Sequence, residues 1–574
     1  MRMFLTYLVL GIADGSVYAI AGLGLVLTFK TSGIFNFAHG AQAAVAAYLM
    51  YSLRHNHGFH WPVAAALAII IAGVGGGLVL ERIANLLSRE STATRVVAMV
   101  GILVGVNALL TAIYGPATLP FKAFLPTDTV RLGDVNITVV QIIVTGLALA
   151  AAIGLYVLFR TARIGTAMQA VVDDPALLDV LGTSPIRVRR FAWILGSCFA
   201  SVSGLLLATF IGLDPNNLTL LVVFSFGAAA VGAFANLPLA YVGGLIIGIG
   251  QAMATGYLSN HHAFVQVPAN VPFIVLVLAL LVAPKHLLVE RGTRVARPEA
   301  PSVRVSPRTA MAGGGLLLAG LCAVPWLVGY KLPIWTVALA FVIIFTSLNL
   351  LARTSGQVSL CHMTFAAVGS STFAIASNNG VPWLIALMLG GLAAVPIGAL
   401  VALPAIRLRG VFLAVITLGF GILVERVFYG TSLMFGAGGS RATRRPANLG
   451  PLHLQDDKPY YFVALLVTLA CCGAVVMVRR ARLGRMLEVL SSSPALLPAN
   501  GASTNVAKLI VFCISAFLAG IGGAMIGAAT FSTSGLQFDF SVSLMLIAVL
   551  YVAGRQPVLS AFIAAGLYQV VVPY

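Results

Sequence analysis

Two short polar stretches stand out in a chain that is otherwise apolar. The first, TSGIFNFAHG at residues 31–40, places Asn36 three residues before His39. The second, TSGQVSLCHM at residues 354–363, opens with the same Thr-Ser-Gly and places His362 six residues after its glycine, as in the first stretch. Each histidine is solitary and lacks the partner residues that a metal site or an activated nucleophile needs. We therefore predict no catalytic and no metal-binding role for either.

The polar side chains of both stretches fall at the start of an apolar run. Polar groups in hydrocarbon are costly unless they are hydrogen-bonded or wet. One interpretation is that they satisfy backbone that is broken near Gly33 and Gly356, or hydrogen-bond between helices. The other is that they line or shape a pathway through the membrane, and both interpretations stay open. The residues concerned are Asn36, His39, Gln42, Gln357, Ser359, His362 and Thr364.

The composition shows which kind of element must position these residues. Of the 574 residues, 60% are hydrophobic and 9% are charged, and the mean hydropathy is +1.01. Soluble proteins carry about 25% charged residues, and many runs here reach the roughly 20 apolar residues that cross a bilayer as a helix. The sequence therefore predicts an all-α fold, a polytopic transmembrane bundle of about 17–19 helices.

A basic stretch that contains prolines divides the apolar runs into two sets. We predict a first half at 1–290, a cytoplasmic linker at 291–310 and a second half at 311–574. Predicted spans of the first half lie near 4–29, 34–53, 61–80, 94–115, 138–159, 190–213, 217–234, 237–258 and 271–289. Those of the second half lie near 311–330, 333–351, 357–378, 381–403, 410–430, 460–478, 509–530, 541–553 and 556–572.

The net charge of +18 lies mostly in short loops between the apolar runs, where positive residues set the orientation of a membrane protein. When the linker is placed in the cytoplasm, most of the other arginine clusters fall on the same side. Orientation thus explains the excess of positive charge, and we predict no nucleic-acid partner. The six cysteines show no CxxC spacing, which argues against disulfides and metal binding.

A second repeat lies in two basic loops. Residues 160–182 align without a gap with residues 479–501. The separation of the two loops along the chain nearly equals that of the two histidine motifs, so both landmarks indicate one duplication. Ten predicted spans separate the loops, and this even number places the halves parallel, with both loops in the cytoplasm. The matched pairs include Arg163 with Arg482, Gly165 with Gly484 and Gly182 with Gly501.

Each basic loop holds a short run that is compatible with a helix and that a glycine can end. In the first loop, Met168 and Val171 lie on an apolar side, and the polar Asp173 and Asp174 follow. Such a helix can lie on the bilayer or dock in the groove of a partner. It can equally be a connecting loop. Two copies on one face favour a symmetric pair of docking partners.

Longer motifs carry a resemblance to a known family. Residues 1–290 contain GSVYAIAGLGLVLTFKTSGIFNFAHGAQAAVAAYL and VGAFANLPLAYVGGLIIG, and residues 333–574 contain TSGQVSLCHMTFAAVGS, LPAIRLRGVFLAVITLGFG and ARLGRMLEVL. These motifs resemble the two related permease subunits of ATP-binding-cassette importers for branched-chain amino acids, here fused in one polypeptide. The resemblance implies a multi-pass protein of the bacterial cell membrane that forms the translocation pathway and is not itself an enzyme.

The same resemblance implies the partners. They are two ATPase subunits, an extracytoplasmic solute-binding protein, the lipid bilayer and a small amino-acid substrate. The ATPases would use ATP and Mg, and the chain itself would bind no cofactor, in keeping with the absence of a GxxxxGK[ST] phosphate-binding loop from the sequence. The docking loops carry over to residues 160–188 and 479–507, with Arg163, Gly165, Asp173, Asp174, Gly182, Arg482, Gly484 and Gly501.

The chain departs from the family pattern in three places. Ser491, Ser492 and Ser493 stand where the family usually places acidic residues. Cys361 precedes His362 where the family often has glycine. The second half is also expected to lack the last helix of its type.

Other functions are compatible with parts of this pattern. Related permeases with the same motifs serve urea and short amides, which makes these solutes the nearest alternative. An ATP-independent channel or secondary transporter would need ionisable residues inside the membrane, and few are visible. A membrane scaffold without transport activity is a third class.

The parallel arrangement predicts the side of the membrane on which each basic loop lies. Single cysteines at Ala170 and Val489, in a background without native cysteines, should both react with an impermeant thiol reagent from the cytoplasmic side only. Labelling of the two positions from opposite sides would contradict the parallel arrangement.

Overall fold

The computed structural model describes most of the chain. The described residues are 2–88, 90–132, 135–259, 265–284, 286–288, 307–436, 438–447, 453–492, 496–499, 501–554 and 556–571. The chain divides into two compact units, Met1–Arg297 and Pro298–Tyr574. Nearly all regular structure in both is helical, as the composition predicts.

The first unit is a set of helices joined by short connections. Its helices are α1 (Arg2–Ser32), α2 (His39–His55), α3 (Trp61–Ala68), α4 (Gly76–Leu87), α5 (Thr92–Tyr114), α6 (Val139–Thr161), α7 (Arg163–Asp173), α8 (Pro175–Val180), α9 (Pro185–Ile211), α10 (Pro215–Thr219), α11 (Leu221–Val231), α12 (Leu237–Leu258) and α13 (Val267–Val282). A π-helical stretch, Ile69–Gly75, joins α3 and α4 into one span. The hairpin of β1 (Thr129–Leu132) and β2 (Val135–Thr138) precedes α6.

Helix α1 is the most buried span of the first unit, and α12, α9, α11 and α6 pack around it. Small residues allow these helices to approach closely. A Cβ on Gly244 would lie 2.5 Å from the Cα of Ala19, and one on Gly248 would lie 2.2 Å from the amide nitrogen of Gly15. The α1–α12 contact therefore requires glycine at both positions of α12.

The second unit repeats most of the first unit's order of elements, with one helix added before the counterpart of α1. It comprises α14 (Pro307–Leu327), α15 (Leu332–Asn349), α16 (His362–Asn378), α17 (Trp383–Arg407), α18 (Gly410–Phe428), β3 (Ser440–Ala442), α19 (Asp457–Arg480), α20 (Arg482–Ser492), α21 (Leu496–Ala499), α22 (Thr504–Thr530), β4 (Ser532–Ser534), α23 (Phe540–Val552) and α24 (Leu559–Ala565). Helix α15 continues as a π-helical turn, Leu350–Thr354, and α24 continues as another, Gly566–Val571. Strands β3 and β4 pair antiparallel and join two loops at one end of the unit.

Helices α15 and α22 form the centre of the second unit, with α16 and α17 against α22. Here too glycine sets the distance between backbones. A Cβ on Gly523 would lie 2.0 Å from the carbonyl oxygen of Ala366, and its counterpart Gly204 in the first unit has the same relation to Ala43, at 2.2 Å. The two units therefore use one packing solution at equivalent positions.

Side-chain caps start several of the spans. Thr138 and Gln141 form a reciprocal capping box at the start of α6. Ser91 caps α5, and Ser503 caps α22. Such caps satisfy backbone N–H groups that have no partner within the helix. They explain why these spans begin at short polar residues between apolar runs.

The structure confirms the predicted polytopic bundle. Among the described residues, twelve helices are long and apolar enough to cross a membrane. Four predicted runs correspond to shorter apolar helices: Pro215–Val231, Val267–Val282, Ala312–Leu327 and Leu559–Val571. The chain is thus a multi-pass membrane protein.

Two predicted boundaries were wrong for a shared reason. The spans expected near 34–53 and 357–378 begin only at His39 and His362, because the preceding polar stretches are not helical. Residues 291–306 of the predicted linker lie outside the described part of the chain. Its last four residues belong to α14, which begins at Pro307.

The close contact at Gly523 predicts a measurable packing effect. Gly523→Ala forces a methyl group onto the Ala366 carbonyl, and overpacking of this kind costs about 1–3 kcal/mol. We expect a lower midpoint in thermal unfolding of the detergent-solubilised protein. Gly101→Ala is the control, since no atom lies within 4 Å of a Cβ at that position. An equal midpoint for the two variants would contradict the packing described here.

Candidate functional site

The first polar stretch is a break in the helical backbone. Helix α1 ends where Gly33 adopts a φ of +67°, a left-handed conformation that glycine adopts without a steric penalty. Its N–H bonds to the carbonyl of Phe29 at 2.8 Å. Residues 34–38 then run without helical structure, and all five are buried. Non-helical backbone at membrane depth is tolerated where protein surrounds it or where it lines a cavity.

The position of His39 shows how deep this break lies. Its Cε1 atom is 3.0 Å from the place a Cβ on Gly24 would take. Gly24 stands eight residues before the end of α1 at Ser32, which is about 12 Å along a helix at 1.5 Å per residue. The segment between the helices therefore runs back beside α1, and α2 begins inside the bundle.

Three polar side chains beside this break are linked by hydrogen bonds. The Nδ2 atom of Asn36 donates to Oε1 of Gln42 at 3.3 Å, and Nε2 of Gln42 donates to Oγ of Ser197 on α9 at 2.9 Å. All three residues are buried. His39 takes no part in these hydrogen bonds: its ring lies beside the Ala21 carbonyl, and neither ring nitrogen makes a hydrogen bond of normal geometry.

The second polar stretch has the same backbone and a different hydrogen-bond pattern. Gly356 has a φ of +70°. Nε2 of His362 lies 2.9 Å from Oγ of Ser347 on α15 and 3.5 Å from Oγ of Ser515 on α22. The Ser347 hydroxyl also donates to the Ser515 carbonyl at 2.7 Å. His362 thus links three helices near the centre of the second unit.

The two histidines occupy equivalent positions in the two units, but the residues that surround them differ. When the histidine motifs are aligned, Ser347 takes the position of Gly24, and when the basic loops are aligned, Ser515 takes that of Gly196. In the first unit a Cβ on Gly24 would lie 2.8 Å from the Gly196 carbonyl oxygen. The contact there is backbone against backbone, whereas the second unit has serine hydroxyls. The sequence analysis did not identify these two serines as part of the site. Extending the two alignments into the neighbouring helices would have identified them.

The remaining polar residues of the second stretch are buried with few partners. Neither amide atom of Gln357 has a hydrogen-bond partner. Ser359 Oγ lies 3.5 Å from the Sγ of Cys361, and Thr364 lies beside Gly421 of α18. Gln357 thus presents an unpaired amide inside the second unit.

Two hydroxyl groups outside the predicted set satisfy part of this broken backbone. The N–H of Leu360 donates to Oγ1 of Thr417 at 3.0 Å, and the N–H of Met363 donates to Oγ of Ser543 at 2.9 Å. Thr417 lies on α18 and Ser543 on α23. Neighbouring helices therefore hold the broken backbone through residues outside the predicted set. Within that set, Gln42 and His362 hydrogen-bond to neighbouring helices.

The first basic loop forms two helices, α7 and α8. Gly165 lies under the end of α6, where a Cβ would be 2.0 Å from the Leu158 carbonyl oxygen. Arg163 and Asp173 are exposed. Asp174 caps α8 by accepting hydrogen bonds from Ala176 and Leu177, both at 3.0 Å.

The apolar face of α7 is covered within its own unit. Gly165, Met168 and Val171 are buried, and α7 packs on α6, α1 and α9. The equivalent residues of α20 are Gly484, Leu487 and Leu490, and they are buried in the same pattern. The face that the sequence offered for docking is therefore already occupied in both loops.

Helix α8 and the turn after it carry the exposed apolar surface of the first loop. Val180 is 84% exposed and Leu181 is 72% exposed, and Leu177 lies beside them. Gly182 then reverses the chain with a φ of +82°. The aligned repeat covers both α7 and α8, but Val180 and Leu181 were not singled out because a single exposed turn has no periodicity to detect.

The second basic loop touches the break of its own unit. Gly484 lies where a Cβ would be 2.0 Å from the Arg479 carbonyl oxygen, and Arg482 is exposed. At Gly356 a Cβ would meet the Cβ of Ser491 at 3.1 Å. Gly501, with a φ of +71°, follows α21, and residues 493–495 and 500 lie outside the described part of the chain.

Each unit is therefore built as a multi-span membrane permease subunit, with a helix broken at membrane depth and a short helix pair beside one end. The chain belongs to the family described as branched-chain amino acid transport system / permease component, whose family model matches residues 7–283 and 332–572. This confirms the duplication inferred from the two repeats.

Individual relatives represent both kinds of permease subunit. A probable branched-chain amino acid transport permease protein LivH of Methanocaldococcus jannaschii is 27% identical over 279 residues, which is 47% of this chain and 87% of the relative. LivH of Escherichia coli K12, a high-affinity branched-chain amino acid transport system permease protein, is 26% identical over 298 residues, 50% of this chain and 95% of the relative.

LivM of Salmonella typhimurium, which carries the same high-affinity permease description, is 29% identical over 261 residues, 41% of this chain and 61% of the relative. No solved structure matches the chain. The relatives support a fusion of the two permease types in one polypeptide.

The hydrogen bonds of His362 predict an energetic coupling with Ser347. His362→Ala should destabilise the solubilised protein by about 2–4 kcal/mol, through lost packing and lost hydrogen bonds. In a double-mutant cycle with Ser347→Ala, thermal unfolding should show a coupling of about 1 kcal/mol.

Ser377→Ala serves as the control partner, because the Ser377 hydroxyl donates to Ala374 of its own helix. Additive effects in the His362–Ser347 pair would contradict a direct interaction. Altered solute selectivity at normal stability and expression would instead favour a place on the transport pathway.

Proposed function

We propose that this protein is the fused permease of an ATP-driven importer for branched-chain amino acids. The observation that carries the proposal is a recurrent pair of features, one in each unit: a helix broken at membrane depth and a short cytoplasmic helix pair next to it. Both units then contribute to the translocation pathway, and the cytoplasmic helices receive the force of ATP hydrolysis.

The contact between a basic loop and the broken segment of the same unit is most direct in the second unit. Ser491 of α20 packs against Gly356, and the broken segment continues from Gly356 to His362. In the first unit α7 packs against α1, the helix that precedes the break. A displacement of either cytoplasmic helix would therefore act on the segment between the two transmembrane helices.

ATP hydrolysis belongs to separate subunits in this proposal. Two ATPases, which use ATP and Mg, dock at α7–α8 and at α20–α21. The exposed Val180 and Leu181 provide apolar area for such a contact, since exposed apolar patches commonly mark interaction surfaces. Gly165 and Gly484 act differently, because they hold the loops tightly to the preceding spans and so transmit motion.

The chemistry near the breaks suits a small amphipathic solute. Amides, hydroxyls and imidazoles surround both segments. The charges of a zwitterion nearly cancel, so a pathway for leucine, isoleucine or valine needs few fixed charges. An extracytoplasmic binding protein delivers the solute in this proposal, and the outer loops at 115–132 and 438–447 are candidate contacts.

Several contacts hold the outer loop of the second unit, among them the β3–β4 pairing and the bonds of Arg445. Arg445 pairs with Asp457 at 2.8 Å and stacks on Tyr460 and Phe531, with its guanidinium carbon 4.5 Å and 4.2 Å from the ring centroids. A rigid loop loses little conformational entropy when a partner binds. This rigidity supports the loop as a binding-protein contact.

The proposal predicts that Val180 is needed to couple ATP hydrolysis to transport and is not needed for folding. Val180→Asp places a charge in the ATPase contact and should abolish ATP-dependent uptake of radiolabelled leucine in vesicles that contain the ATPases. Because Val180 is 84% exposed, the free energy of unfolding should stay within about 0.5 kcal/mol of the parent.

Val180→Ile is the matched control and should retain uptake, since it keeps an apolar side chain. Uptake without ATPases would favour a channel or a secondary transporter, and uptake of urea or acetamide in preference to leucine would favour the amide-type permease. Normal uptake by Val180→Asp would contradict the assignment of α8 to the ATPase contact.

A further inference from the structure

A large cavity lies at the cytoplasmic end of the first unit, apart from the break and from α8. Its volume is about 1100 Å³, and it opens between the ends of α1, α6 and α13 and the turn that joins α11 to α12. Arg160 and Lys30 belong to its lining. Because Arg160 is the first residue of the basic loop, the cavity lies where the positive-inside rule places the cytoplasmic membrane surface.

Two cationic side chains that line this cavity lie close to aromatic rings. Nζ of Lys30 lies 5.0 Å from the centroid of the Phe159 ring. The Arg160 guanidinium donates to the Tyr156 hydroxyl at 2.7 Å. Among the described residues that line the cavity, none is acidic. The cavity therefore presents net positive charge to whatever enters it.

The opposite wall is apolar and faces outward. Helix α13 contributes Val275, Leu278, Ala279 and Val282 to the lining. Leu278 is 55% exposed, and Val282 is 79% exposed. A cationic rim beside an exposed apolar wall fits a ligand with an anionic head and a hydrocarbon tail.

The equivalent positions in the second unit hold other residues, which make other contacts. The alignment of the histidine motifs places Arg353 at the position of Lys30, and that of the basic loops places Tyr551 at the position of Gly232. The Arg353 guanidinium stacks on Tyr551 at 4.7 Å and donates to the carbonyls of Leu550 and Tyr551. The Arg353 cation is thus bonded within its own unit and stacks on a ring that has no counterpart at Gly232.

We propose that the cavity of the first unit binds an anionic phospholipid of the cytoplasmic leaflet. The phosphate lies between Lys30 and Arg160, and an acyl chain lies along Leu278 and Val282. Basic pockets between transmembrane helices on the cytoplasmic side are known sites for anionic lipid head groups. The chain's own residues 289–306 are an unsuitable occupant, since four arginines and two glutamates give them a net positive charge.

Native mass spectrometry of the purified full chain tests the proposal. Phosphatidylglycerol and phosphatidylcholine with identical acyl chains are titrated separately, and the anionic lipid should bind more tightly. Each cation near an anionic head group contributes about 5-fold, so Lys30→Gln with Arg160→Gln should weaken phosphatidylglycerol binding about 25-fold. Binding of phosphatidylcholine should be unchanged, and Arg82→Gln, an exposed arginine outside the cavity, is the matched charge control.

A second variant tests the cavity itself. Ala279→Trp fills the space with an apolar side chain and leaves both cations in place, so it should reduce phosphatidylglycerol binding whether or not the charge variants are recovered in folded form. Equal binding of the two lipids would overturn the proposal, as would full phosphatidylglycerol binding by Ala279→Trp. Displacement of phosphatidylglycerol by millimolar inorganic phosphate would assign the cations to a free anion instead of a lipid.

Discussion

Every backbone polar group inside a membrane must find a partner within the protein, and the broken segments after α1 and α15 depend on this constraint. Residues 34–38 leave the helical hydrogen-bond pattern while buried among the helices of the first unit. In the second unit, hydroxyls of Thr417 and Ser543 accept from the freed N–H groups. The surrounding helices thus cannot be arranged freely, because they must approach closely enough to enclose these segments. The glycines at 204 and 523 permit that approach.

The two units share the backbone geometry of the broken segments, but they differ in the residues around the histidines. Glycines with positive φ occur at residues 33 and 356, and a histidine begins the next helix in both units. Around those histidines the residues differ, since Gly24 and Gly196 stand where the second unit has serines. One unit therefore gains stability from close backbone contact and the other from hydroxyl hydrogen bonds.

The short helices of the basic loops pack close to the broken segments of their own units. Helices α7 and α20 bury the same three positions against their own spans, so they move with those spans. The contact of Ser491 with Gly356 brings the loop directly to the break. A backbone that is already interrupted deforms at lower cost than a continuous helix, because fewer hydrogen bonds must be broken.

The sequence by itself determined the helical membrane class, the two homologous halves and the positions of the polar motifs, because local composition and repeats along the chain record these properties. Hydropathy does not separate a buried extended segment such as 34–38 from a helical one, so the starts of α2 and α16 were placed too early. The exposed turn of α8 was too short to show a period. Only the tertiary structure decided which residues surround the motifs: Ser347 and Ser515, 168 residues apart, meet beside one histidine, and Lys30 and Gly232 line one cavity. Such contacts depend on how distant helices pack, and packing is set by the shapes of all neighbours together, which no local pattern records.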